Sequence, residues 1–408
     1  MHKKKTIWQF PWKYKESFTI AIALLITGFA IEYFIGKNNI WLPAWPTNLI
    51  IIVAFWAYFI FLDRYVKHSM INWLSSTYAA ISAISVFTVL ILLMGFIIQT
   101  DKGTPSFISR IGLTHVISSW PYLITSMYLM IILGFTITRR FFPLRIKNLA
   151  FFLNHGGLWL VIAAASLGSA DSWKLSMVLN EGEQTNIAGD SRNRNLFEMP
   201  FKLELLDFDI EEFPPNLGLL SIKTGKLIIE KGDKLIEVEV GYEDKVGDWN
   251  IIVETYYPSA VVDGDKYVVS ELMGSVHAVF VVAENLLSGE KRSGWVTNGS
   301  MMYSPEYLIL DNDHSIVMTI PTPKKYSSQI KVFYPNGDIE DVFIEVNKPA
   351  RILDWVIYQV GYDEKMGKWS KSSIIEIVRD PWLPVVYVGI FMILAGSLYL
   401  VWMGRTKN

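Results

Sequence analysis

Six apolar runs, each near the length that crosses a bilayer, constrain this chain more than any other feature. They are Phe18–Ile35, Thr47–Leu62, Tyr78–Ile98, Tyr122–Thr138, Leu149–Leu167 and Trp382–Trp402. A membrane helix needs about 20 mainly apolar residues. Five runs meet that need. Thr47–Leu62 sits at the lower limit, but its IIIVAFWAYFIFL stretch carries no charge, so it reads as a sixth span, with a re-entrant or interfacial helix as the alternative. The 51% share of hydrophobic residues would not separate a soluble from a membrane chain; its distribution does, because residues 169–380 read as an ordinary soluble domain. The expected fold is a polytopic α-helical membrane protein of about six spans, with a large outer, mainly-β domain inserted before the last span. Its parts are an N-terminal membrane region (1–168), the β-rich domain (169–380), and a C-terminal span with a short tail (381–408).

Basic residues orient the spans, since cytoplasmic loops collect Lys and Arg. Lys3, Lys4, Lys5, Lys13 and Lys15 precede the first run. With six crossings, Arg64 and Lys67, then Arg139, Arg140, Arg145 and Lys147, then Arg405 and Lys407 fall on the same side. The opposite short loops hold only Lys37, and then Lys102 and Arg110. Both termini are therefore expected in the cytoplasm, with 169–380 on the outer side. The first run is longer than a signal-peptide core, and GKNNIWLP after it lacks a small-x-small cleavage pattern, so it reads as a retained span.

Composition excludes several chemistries. The chain has no cysteine, which removes disulfides, thiol redox chemistry, thiolate metal sites and covalent haem attachment to this chain. A formal charge of −2 gives no reason to expect a nucleic-acid partner. No phosphate loop, HExxH motif, EF-hand loop or nucleophile–histidine–acid pattern is present.

Within 169–380 the pattern alternates with period two. KLIEVEV puts Ile236, Val238 and Val240 on one face, and QIKVFY does the same with Ile330, Val332 and Tyr334. The second is followed by Asn336-Gly337 and VFIEV, a hairpin signal, because Asn-Gly accepts the positive φ of a tight turn. LIIEKGDKLIEVEV is a second hairpin candidate, turning at Lys231-Gly232-Asp233. An antiparallel sandwich or related multi-sheet arrangement is expected. Asp207, Asp209, Glu211 and Glu212 in DFDIEEF read as a solvated strand face.

Histidines are the candidate site residues. His2 and His68 read as solvated, cytoplasmic-side groups, His277 as a strand residue and His314 as a turn residue. His155 lies inside the fifth run, seven residues past Asn148 and so about 10 Å into the helix. An ionisable group there is costly and points to function. Gly156 and Gly157 follow it, leaving room for a flat ligand or for a close helix; both readings stay open. His115, in IGLTHVISSWP, sits where an outer-face cofactor ligand or an ordinary interfacial histidine could stand. Trp41 and Trp45 in WLPAWP read as an interfacial aromatic belt.

Several ordered stretches carry a family resemblance. IEVNKPARILDWVIYQVGYDEKMG, VRDPWLP running into the last span, DSWKLSMVLNEGE, PFKLELLDFDIEEFPP and the histidine-bearing span resemble the ResB (CcsB) family, over roughly 150–404. These are membrane subunits of system II cytochrome c maturation. Many members have three spans before the domain where this chain has five. The resemblance implies a complex with a CcsA-like membrane subunit that moves haem b across the bacterial cytoplasmic membrane. The complex presents it to the C-x-x-C-H motif of apocytochrome c as a cytochrome c synthase. It implies that His155 is an axial ligand of haem iron, and that the chain, lacking a W-G-x-x-W-x-W-D-like run, is a non-autonomous subunit. A transporter component, or a receptor or sensor subunit with a ligand-binding outer domain, are the alternatives.

Overall fold

The computed structural model describes residues 8–36, 42–100, 106–141, 145–190, 195–228 and 235–405. The chain divides into a helical unit, Met1–Ser172 with Asp380–Asn408, and a β unit, Trp173–Arg379. Residues 169–172, placed by the sequence reading at the start of the β domain, group with the helical unit, and the first three of them complete the 3-10 turn Gly168–Asp171.

The helical unit contains α1 (Tyr14–Ile35), α2 (Thr47–Tyr65), α3 (Ser69–Leu74), α4 (Thr77–Phe96), α5 (Phe107–Arg110), α6 (Trp120–Phe141), α7 (Leu149–Leu167) and α8 (Leu383–Arg405). Six of these, all but the short α3 and α5, are long and apolar enough to cross a membrane. The polar flanks extend the helices beyond the apolar runs. The Glu16 carboxylate accepts the Lys13 N–H at 2.9 Å, so α1 begins four residues before Phe18. Helix α2 continues through Asp63, Arg64 and Tyr65 to 19 residues, which gives Thr47–Leu62 the length its apolar run lacked.

Helix α6 is the centre of this unit. Ser126, Leu129, Met130, Leu133 and Ile137 are buried at helical spacing. Trp159 of α7 donates its indole N–H to the Met130 carbonyl at 3.1 Å, and Phe135 meets Phe59 of α2 with ring centroids 5.0 Å apart. Asp171 ties three helix ends together: it accepts from the Trp45 N–H at 2.8 Å, the Asn48 amide at 2.7 Å and the Trp382 indole at 2.6 Å. Trp45 itself is largely exposed; Trp41 lies outside the described residues.

The β unit begins with β1 (Trp173–Asn180), β2 (Gln184–Gly189) and β3 (Leu196–Glu212). A middle group follows: β4 (Asn216–Ser221), β5 (Lys226–Leu227), β6 (Ile236–Glu237), β7 (Glu243–Val246), β8 (Trp249–Asp263), β9 (Lys266–Val269), β10 (Val276–Asn285), β11 (Lys291–Thr297), β12 (Leu308–Ile309) and β13 (His314–Met318). The chain then returns through β14 (Pro323–Phe333), β15 (Ile339–Glu345), β16 (Ala350–Ile352), β17 (Trp355–Tyr362) and β18 (Ser372–Arg379). The first and last groups make an eight-stranded antiparallel sheet, ordered β15-β14-β3-β2-β1-β18-β17-β16. The middle group makes two five-stranded sheets, β11-β10-β8-β7 with β9 on β8, and β12-β13-β4-β5 with β6 on β4.

Each group has its own core. Met177, Leu203, Leu205, Val332, Ile344 and Ile375 belong to the core packed on the large sheet. Leu217, Ile251, Val253, Val279, Val281 and Ile316 lie between the two smaller sheets. The Asn336-Gly337 hairpin forms: Phe333 faces Ile339, Gly337 has φ +89°, and the Gly337 N–H reaches the Tyr334 carbonyl at 3.0 Å. The other hairpin expectation, turning at Lys231-Gly232-Asp233, falls on residues 229–234, outside the described ones. The flanking β5 and β6 both pair with β4. Ile236 and Val238 are buried, but the strand ends there and Val240 is exposed.

Candidate functional site

His155 occupies the second turn of α7 and is half-buried. Its Nδ1 lies 3.1 Å from the Phe151 carbonyl one turn earlier. A carbonyl can only accept, so this contact puts the ring proton on Nδ1 and leaves a lone pair on Nε2. No partner meets Nε2 among the described residues. An imidazole whose Nδ1–H is fixed by a backbone carbonyl is the usual arrangement of a metal-binding histidine.

The ring is also fixed in orientation. Phe151 stacks on it with centroids 4.0 Å apart and planes 26° apart. The Arg140 guanidinium stands 4.1 Å from the Phe151 centroid. Arg140 and His155 thus both pack against the Phe151 ring.

The glycines beside His155 serve helix packing. A Cβ on Gly157 would lie 2.6 Å from the Gly389 carbonyl of α8 and 2.9 Å from Ile393, so only glycine permits this crossing. A Cβ on Gly156 would meet Met392 at an ordinary 3.6 Å. Of the two sequence readings, a close helix accounts for Gly157. Asn154 does not support His155: its amide nitrogen donates to the Ala150 carbonyl at 2.9 Å, and its oxygen accepts from Ser397 of α8 at 2.9 Å.

His115 has a different environment. Its Nε2 lies 3.0 Å from Oε1 of Glu32, near the end of α1, and its Nδ1 lies 3.3 Å from the Thr114 hydroxyl. The other Glu32 oxygen accepts the first N–H of α6, from Trp120, at 2.8 Å. Glu32 is 2% exposed, so this carboxylate organises the helix start from within the packed bundle. Gly112 makes the approach possible: its φ is +84°, and a Cβ would fall 2.9 Å from the Glu32 side chain. With both ring nitrogens engaged, His115 could reach a metal only by giving up Thr114 at Nδ1 or Glu32 at Nε2. The sequence signal for this pair was a single carboxylate near the end of an apolar run.

The remaining histidines are distributed elsewhere. His68 caps α3, accepting the Met70 N–H at 3.2 Å, and His2 lies outside the described residues. His314 pairs with Asp311 at 2.8 Å. Burial acts against ionisation of Asp311, but amides from Asp313 and His314 and the His314 ring outweigh it and bring its pKa down to about 2.

His277 is buried inside the β unit rather than on its surface. Its Nδ1 meets the Tyr256 hydroxyl at 2.9 Å and its Nε2 faces Glu212 at 3.4 Å. Burial, with the Glu212 charge second, pushes the Tyr256 phenol up to about 12. Asp207, Asp209 and Glu211 do form a solvated strand face, but Glu212 turns inward to His277. Among the described residues no three His, Asp or Glu side chains gather as a metal site.

Models of known protein families give no match to this chain, and neither do curated proteins.

Proposed function

We propose that this chain is the ResB/CcsB-type subunit of a cytochrome c maturation complex, working with a CcsA-like membrane partner to deliver haem b to apocytochrome c. The observation that carries the reading is the state of His155: a half-buried imidazole in an apolar helix, with Nδ1 held by Phe151 and Nε2 open. Such a group is costly in a membrane unless something takes its lone pair. A neutral imidazole nitrogen suits one axial position of haem iron. The ordered motifs of the sequence agree with that assignment.

In this reading haem is the cargo, and its vinyl groups supply the carbons to which the apocytochrome thiols add. The chain's own residues bind and orient. The Phe151 carbonyl holds the His155 proton on Nδ1, the Phe151 ring limits rotation of the imidazole, and the α7–α8 contact at Gly157 and Gly389 sets the depth of that turn. The β unit contributes position, keeping the apocytochrome near the presented porphyrin. His115, engaged with Glu32, is left outside the haem site. The chain supplies no catalytic side chain alone and acts as a subunit of the synthase. It lies in the bacterial cytoplasmic membrane with both termini inside and the β unit outside.

Deletion of the gene tests the reading. Covalently bound haem should disappear from c-type cytochromes on denaturing gels stained for haem, while b-type haem proteins persist. Normal c-type bands in a strain without a second copy would refute it.

A further inference from the structure

Arg139 and Arg140 end α6 side by side, yet their surroundings differ. Arg139 is spent on the bundle: its guanidinium contacts the Asn72 side chain, the Ser75 hydroxyl and the Asn72 carbonyl, and stands 3.9 Å from Asp63. Arg140 has no hydrogen-bond acceptor or carboxylate among the described residues. Its guanidinium carbon stands 4.1 Å from the Phe151 centroid, and His155 stacks on the same ring at 4.0 Å. Stacking leaves all the edge N–H groups of a guanidinium free to donate, and the planar fork suits a carboxylate.

The three groups form a graded column. His155 is two turns inside α7, Phe151 is one turn nearer its start, and Arg140 is an exposed residue at the end of the neighbouring helix. The column thus offers a soft nitrogen ligand at depth, an apolar ring above it, and a cation at the rim. A ligand complementary to it is amphiphilic, with an electrophilic metal centre in an apolar plate and acidic groups at one edge.

We infer that Arg140 is a specificity residue of the His155 site, taking a carboxylate at the edge of a metalloporphyrin whose iron His155 binds. The inference rests on the haem reading of His155. It adds a role that a simple positive-inside residue would not have, namely discrimination between acidic and esterified porphyrins. Phe151 is the positioning residue, since it holds the guanidinium on the same column as the imidazole.

The test uses the chain co-purified with its CcsA-like partner, freed of haem and held in lipid nanodiscs, titrated with ferric haem b and, separately, with its dimethyl ester, followed by the Soret band. Wild type should bind the free acid more tightly than the ester. Arg140→Gln should weaken free-acid binding about tenfold, the scale of one charge-assisted hydrogen bond, and leave the ester unaffected, so the preference collapses. Arg140→Lys should recover part of it. An unchanged acid-to-ester ratio in a folded Arg140→Gln protein overturns the inference and makes Arg140 a lipid-headgroup anchor. Absence of a histidine-ligated Soret band for both probes in wild type would instead overturn the haem reading, and this inference with it.

Discussion

Glu32→Ala should destabilise the helical unit more than any other single substitution near the His115 turn. The carboxylate is 2% exposed and serves two groups, the Trp120 N–H at 2.8 Å and His115 Nε2 at 3.0 Å. Alanine leaves both without this partner, and an unsatisfied buried polar group costs about 1–3 kcal/mol. With two groups left unsatisfied, a loss of roughly 2–6 kcal/mol is expected for Glu32→Ala. Glu32→Gln retains an oxygen for Trp120 and an amide for His115, and should lose less than about half of that. Thermal unfolding in detergent, followed by tryptophan fluorescence, measures both. The argument fails if Glu32→Ala unfolds with wild-type stability, or if Gln and Ala are equally damaging.

Gly157→Leu should separate α8 from α7, because its side chain would occupy the space of the Gly389 carbonyl and Ile393; crosslinking between cysteines placed on the two helices should fall sharply, while Gly156→Ala, facing Met392 at 3.6 Å, should change little. Cysteines at Asn336 and Thr406 should report opposite sides of the membrane in intact cells treated with an impermeant thiol reagent. Labelling at Thr406, or none at Asn336 in the exposed β14–β15 turn, would contradict the orientation.

The spans and the strand-rich unit were legible because each rests on local periodicity. Apolar length marks six helices, and Asn336-Gly337 specifies its turn through backbone conformation alone. What the sequence did not show depends on contacts across distance. The stretch around 231–233 looks like a hairpin locally, while the pairing of Lys226–Leu227 and of Ile236–Glu237 with β4 depends on a strand distant in sequence. Glu212 continues the alternation of Asp207, Asp209 and Glu211, and only the fold brings His277 and Tyr256 to it. His155 was visible as an ionisable residue in an apolar run. Its tautomer, the Phe151 stack and the Arg140 contact with that ring were not, because they depend on how α6 ends beside the start of α7. Gly157 could be read either way until α8 was found against it.

The central claim is that His155 Nε2 is an iron ligand, and the absorption spectrum of the chain co-purified with a CcsA-like partner tests it most directly. Wild type should carry low-spin haem. His155→Gly should lose most of that haem, or shift its Soret band, and recover when imidazole is supplied to fill the vacated position. A well-expressed His155→Gly complex with full haem content, an unshifted spectrum and no response to imidazole would contradict the account.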